Sequence, residues 1–154
     1  MIRKEDILEI QTKWASGIVE IGTHKDDLVK SKSLASDFLD QFYSFEYGIV
    51  LFKPTKCSDS QFRPTKEMAL SYFVAGENAI CKEDKGFAIN PWVNVRFENS
   101  NIILDEDKAF AMGNYFFTDE NDSIVKVEYT FGYKLFEGEL KIFLHHSSLP
   151  YNHA

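Results

Sequence analysis

Cysteine is scarce in this 154-residue chain, which carries only Cys57 and Cys81. They form neither a Cys-x-x-Cys pair nor a cluster with histidine. This excludes a disulfide scaffold and a zinc ribbon, and it points to two free thiols in a reducing compartment. Eight glycines and four prolines are too few for a low-complexity or collagen-like chain. Basic charge is also short: 17 Lys and Arg stand against 24 Asp and Glu, giving a net charge of −7 and a pI near 5.1. A protein that neutralises phosphates needs a basic face. The one candidate stretch, Lys25 to Lys32, is interrupted by Asp26 and Asp27, so no nucleic-acid partner is expected. No segment approaches the ~18 apolar residues of a membrane span. The opening Met1-Ile2-Arg3-Lys4-Glu5-Asp6 has no apolar run of signal-peptide length. The expectation is a chain with no membrane partner, residing in the cytoplasm.

Aromatic residues, in contrast, are abundant. Fourteen Phe, seven Tyr and two Trp make up 15% of the chain, a composition that favours pleated sheets, cores and pockets. At roughly 100–200 residues per domain, the length predicts a single domain over residues 1–154. Ile7, Leu8, Ile10, Trp14, Ile18, Val19 and Ile21 recur at helical spacing, and Gly22-Thr23 ends that stripe. A second stripe runs through Leu34, Phe38, Leu39, Phe42 and Phe45, with Ser33 placed to cap it. The apolar run Tyr47 to Lys53 reads as a strand ended by Pro54, and a short helix follows from Pro64 to Gly76.

From Gly86 the chain alternates strands with short polar turns. Strands are expected near 86–98, 100–105, 108–118, 123–134 and 139–148, with turns at 98–101, 119–122 and 136–138. Connections this short favour an antiparallel meander. Helices first and a meander afterwards make an α+β fold. The order is similar to the cone-shaped nuclear-transport-factor-2-like (cystatin-like) fold, in which a curved antiparallel sheet wraps around N-terminal helices. That resemblance implies a pocket inside the cone.

The C-terminal strand carries the most chemistry: Leu140-Lys141-Ile142-Phe143-Leu144-His145-His146-Ser147-Ser148. Strict alternation groups Leu140, Ile142 and Leu144 with His146 and Ser148 on the packed face. His145 and Ser147 then take the rim or the outer face. Adjacent histidines point to opposite sides of a strand and cannot readily share one metal ion. With His24 and His153 remote and no His-Glu-x-x-His motif, no metal is expected. A Ser147-Ser148 nucleophile lacks both a nucleophile elbow and an orienting acid. His146 and Ser148 read equally as satisfied polar groups at a strand end. Thr55, just past Lys53-Pro54, reads as a turn residue, and Tyr72 as a buried phenol on the core side of the third helix. Trp92, Asn114, Tyr115 and Tyr129 suit a cavity wall as well as a core.

Together the runs "LFKPT", "ALSYFVAG", "KGFAINPW", "VRFEN", "AMGNYFFT", "VKVEYTFGY" and "HHSSLPY" resemble the metal-free iota-class carbonic anhydrases over roughly residues 47–151. The last run is shared with proteins similar to the calcium/calmodulin-dependent kinase II association domain. The resemblance implies reversible hydration of CO2 to bicarbonate with no cofactor. It also implies a pocket threonine at Thr55 (with Thr65 as the alternative) and a pocket tyrosine at Tyr72. The histidine and serine fall within "HHSS", where the face argument selects His146 and Ser148, with Ser147 and His145 as second choices. Catalytic roles are therefore expected for Thr55, Tyr72, His146 and Ser148, with Thr55, Tyr72, Ser147 and Ser148 holding CO2 or bicarbonate. A homodimer is expected from the fold, with Phe110, Phe116 and Phe143 on the outer sheet face. Two other readings are an association module without catalysis and an isomerase of the same cone. The isomerase needs a carboxylate base in the pocket, and Glu128 lies on the face opposite Val127 and Tyr129.

Overall fold

The computed structural model describes residues 1–153. Three helices, α1 (Lys4–Thr23), α2 (Leu28–Phe42) and α3 (Lys66–Val74), pack on one face of a five-stranded sheet. The strands are β1 (Leu51–Lys53), β2 (Trp92–Leu104), β3 (Lys108–Asp119), β4 (Ile124–Phe136) and β5 (Glu139–Ser148). Their order is β1-β5-β4-β3-β2. The sheet is open. β2 to β5 form the antiparallel meander, while β1 joins β5 in parallel, so the sheet is mixed where the sequence suggested an antiparallel one.

Each helix starts where a side chain or reach-back bond can satisfy free N–H groups. Asp27 accepts from the Lys30 amide, so α2 begins at Leu28, ahead of the expected Ser33 cap. The charged stretch Lys25 to Lys32 is thus helical from Leu28, with its charges turned to solvent. Thr65 caps α3 by accepting from the Met68 amide. Phe45 leaves α2 and enters a 3-10 turn over Phe45–Tyr47, which shortens the first strand to Leu51–Lys53.

The expected break at 98–101 is absent, because β2 runs through it with a bulge at Ser100. Just before the bulge, Asn99 follows Val95 and Phe97 on the inner face and exchanges hydrogen bonds with Gln11 of α1. Residues 86–91 are not strand. The amides of Phe87 and Ala88 instead donate to the Tyr72 and Phe73 carbonyls at the end of α3. The β4–β5 hairpin turns on Glu137 and Gly138, both at positive φ, the geometry of a two-residue loop that matches strand twist.

The core lies between the helices and the concave sheet face, and it is unusually aromatic. Trp14 of α1 sits at its centre, with ring centroids 5.7–6.4 Å from Phe38, Phe97, Tyr115, Phe117, Phe131 and His145. Burying an aromatic side chain stabilises the fold by about 1.5–3 kcal/mol. The polar atoms inside this core must therefore be fully paired, and among the described residues none of the buried side-chain N or O atoms lacks a partner.

Candidate active site

The first determinant of the site is an irregularity in β5. Ile142 pairs with Tyr133 and Leu144 with Gly132, so Phe143 is an extra residue on β5. A bulge of this kind resets the alternation of every residue beyond it. Ile142 faces the core, and after the bulge His145 and Ser147 face it too, at 2% and 1% exposure. This corrects the selection of His146 and Ser148. His146 is exposed, and the half-buried Ser148 lies within 3.4 Å of Glu128 Oε1 on the outer side. The two histidines do point to opposite sides of the strand.

β1 supplies the next piece. Its parallel pairing sets Phe52 beside His145, and the rings stack at 4.8 Å. The chain then turns at Pro54 and hangs Thr55 over Ser147, with Oγ1 and Oγ 2.6 Å apart. Lys53 Nζ donates to the Ser147 carbonyl at 2.9 Å and ties the turn to β5. Thr65, the alternative threonine, is exposed and spends its hydroxyl on the α3 cap.

Tyr115 of β3 completes a chain of polar contacts. Its hydroxyl lies 2.5 Å from Ser147 Oγ and 3.1 Å from His145 Nε2. On the other side of the imidazole, His145 Nδ1 lies 2.8 Å from the Tyr43 hydroxyl, which accepts from Trp14 Nε1 at 3.2 Å. Tyr72 of α3 lies at the other end. Its hydroxyl accepts from the Lys56 amide at 3.1 Å, next to Thr55 in the chain. Tyr72 stacks on Phe87 and lines a cleft of about 520 Å³ that opens to solvent.

The electrostatics of this cluster are those of a neutral site. Burial holds the His145 pKa well below the usual imidazole value, and His146 next to it adds a smaller push in the same direction. Burial also raises the phenols of Tyr43, Tyr72 and Tyr115 well above the usual tyrosine value, with hydrogen bonds only partly offsetting it. At neutral pH every group from Trp14 to Thr55 is therefore uncharged. Such a site can donate and accept hydrogen bonds and can relay protons between hydroxyls. Among the described residues no three His, Cys, Asp or Glu side chains converge as a metal site would require. Glu128 is exposed on the outer face, so it is no pocket base.

The structure thus brings Thr55, Tyr72, Ser147 and His145 together and leaves His146 and Ser148 outside. Tyr115 was legible only as one of four residues that suit a cavity wall as well as a core. Tyr43 and Trp14 carried no sequence signal beyond their apolar neighbours.

Comparison with known proteins shows the family. The model of the metal-independent carbonic anhydrase family matches residues 5–149. The chain belongs to this family. A metal-independent carbonic anhydrase from Nostoc sp. PCC 7120 is 39% identical, over 97% of this chain and 75% of its own length. The crystal structure of a cyanobacterial iota-carbonic anhydrase complexed with bicarbonate superposes with a TM-score of 0.93 at 37% identity, covering 98% of this chain and 94% of that one. A putative calcium/calmodulin-dependent kinase II association domain from Xanthomonas campestris shares the fold, with a TM-score of 0.68 at 22% identity over 97% and 89% of the two chains. Carbonic anhydrases of this family are metal-independent by name, consistent with a site built from hydroxyls and one imidazole. Among the described residues no helix is long and apolar enough to cross a membrane.

Proposed function

We propose that this chain catalyses the reversible hydration of CO2 to bicarbonate without a metal, using Thr55, Tyr72 and Ser147 as the groups that meet substrate. The carrying observation is the unbroken run of short contacts from Thr55 through Ser147 and Tyr115 to His145, with Lys56, the residue after Thr55, and Tyr72 lining a solvent-connected cleft. A zinc enzyme lowers the pKa of bound water to about 7; neutral hydroxyls have no such lever. They act by holding water and CO2 at attack distance, worth up to ~7–11 kcal/mol in favourable cases, and by donating to the charge that develops on the CO2 oxygens.

The chemistry balances without a charged base. The water oxygen bonds to the CO2 carbon while one water proton passes to Thr55 Oγ1. The Thr55 proton passes to a CO2 oxygen, and the carbonic acid formed ionises in solvent. Tyr72 orients the water and the forming product. His145 holds Tyr115 and Ser147 in register.

A CO2 hydration assay with and without a strong chelator tests this reading. Activity survives chelation. Thr55→Val lowers kcat/KM about 10²-fold, the usual cost of one transition-state donor, and Ser147→Ala lowers it by removing the hydroxyl bonded to Thr55, whereas His146→Ala and Ser148→Ala stay within about twofold of wild type. Loss on chelation with recovery on added zinc overturns the reading.

We further infer a homodimer formed through the outer sheet face. Supporting this, Ile103, Phe110, Gly132, Leu144 and Leu51 lie side by side across all five strands, with Ile103 and Leu51 more than half exposed. Phe110 and Phe143 meet on that face at 6.0 Å, and Arg96 lies 4.3 Å over the Phe116 ring. The free thiols Cys57 and Cys81 support residence in the cytoplasm. A single core cluster spanning helices and sheet supports one domain.

A further inference from the structure

The hydrogen-bond chain through the site has a direction, and that direction is set at its far end, away from substrate. An indole N–H can only donate, and a phenol has one proton to give. Tyr43, 1% exposed, accepts from Trp14 Nε1 and, among the described residues, has one other hydrogen-bond partner for its hydroxyl, His145 Nδ1. If Nδ1 carried the imidazole proton and donated to Tyr43, the phenol would receive two donors and its own proton would be stranded in the core. A stranded buried donor costs about 1–3 kcal/mol. The arrangement that pairs every proton has Tyr43 donating to Nδ1.

The remaining links follow one by one. With Nδ1 accepting, neutral His145 holds its proton on Nε2 and donates to Tyr115. Tyr115 then has its own proton free for Ser147, and Ser147 has its own for Thr55. The Thr55 proton is the one left uncommitted by these links, at the end where Tyr72 and the cleft lie. In the opposite order Thr55 would give its proton to Ser147 and present only lone pairs to CO2.

We propose that Tyr43, its direction fixed by Trp14, is a positioning residue that locks His145 in the Nε2–H tautomer and thereby delivers a donor at Thr55. This rests on the reading of the site given above. It makes the imidazole a fixed donor to Tyr115 and removes it from any role as proton acceptor through Nε2.

The test is the tautomer itself. In 15N-labelled protein, long-range 1H–15N correlations of the His145 ring report which nitrogen is protonated, with no need for turnover. The expected result is Nε2 protonated and Nδ1 bare in the wild type. An Nδ1–H tautomer or an imidazolium at neutral pH overturns the proposal. Tyr43→Phe removes one oxygen from the core and is checked for folding by thermal denaturation. Its expected effect is a fall in kcat of about tenfold with KM little changed, and a folded Tyr43→Phe enzyme with wild-type kcat overturns the positioning role. A wild type with bare Nδ1 and no hydration activity would leave the direction of the chain standing and overturn the functional reading instead.

Discussion

His145 shows what a single buried side chain does to the pH behaviour of this molecule. Unfolded, its imidazole takes up a proton near the ordinary value of 6.5; folded, burial keeps it neutral far below that. Between the two values the unfolded chain binds the extra proton, so acid favours unfolding. The stability that His145 contributes is whole above about pH 6.5 and drains away as pH falls below it, by up to about 1.4 kcal/mol per pH unit. Tyr43 and Tyr115 face the ring and are uncharged in this range, and His146, exposed beside it, only adds to the effect. Urea titrations between pH 5 and 8 should show this slope in the wild type, and it should flatten in His145→Gln.

At the scale of elements, the position of Thr55 depends on a clamp outside the sheet. The Glu83 carboxylate accepts from the amides of Ser58, Asp59 and Ser60 at 2.7–2.9 Å, holding the loop that follows Thr55. These backbone bonds, the one from Ser58 foremost, pull the Glu83 pKa below its ordinary 4.5. The clamp is therefore intact above that value and is lost as pH falls through the lowered one. Glu83→Ala should speed hydrogen exchange at residues 58–60 and lower kcat at neutral pH. Beneath the same loop, Arg63 and Asp84 form a fully buried ion pair at 2.8 Å, and Ser71 also donates to Asp84. Removing one partner of such a pair costs about 3–5 kcal/mol, so Arg63→Leu should lower the denaturation midpoint sharply. Gly113 is another constraint. A Cβ there would lie 2.2 Å from the Glu98 carbonyl oxygen, at the β2 bulge. Gly113→Ala should destabilise by about 1–3 kcal/mol in the same titration.

These elements also mark how far the sequence could be read. The three helices and the meander were legible, because periods of 3.6 and 2 report directly on which faces are buried. Bulges were not. The extra residues Ser100 and Phe143 look like any other strand residues, and only the partner strand reveals that one of them is unpaired. The Phe143 bulge alone put His145 and Ser147 on the inner face, where strict alternation expects His146 and Ser148. The parallel pairing of β1 was hidden for a related reason: three residues carry too little pattern to name a partner.

At the scale of the molecule, helices cover the concave face of the sheet while its outer face keeps an apolar row. Met112 adds a further exposed side chain beside that row. If two copies meet there, Ile103→Glu combined with Met112→Glu should convert a dimer to a monomer in sedimentation velocity. Because every site residue named above comes from one chain, hydration activity should persist in that monomer. Unchanged sedimentation in the double variant would place the contact between copies elsewhere.

The doublet His145-His146-Ser147-Ser148 has a consequence for how this cleft tolerates change. In an ordinary strand, gaining or losing an unpaired residue upstream would rotate the working side chains outward and leave the interior with whatever lay next to them. Here each working residue is followed by a twin. Were one residue of β5 lost upstream while the Phe143 bulge stayed, His146 and Ser148 would arrive where His145 and Ser147 now stand, offering the same imidazole and the same alcohol. The spare copies on the solvent side are a built-in redundancy against frame error.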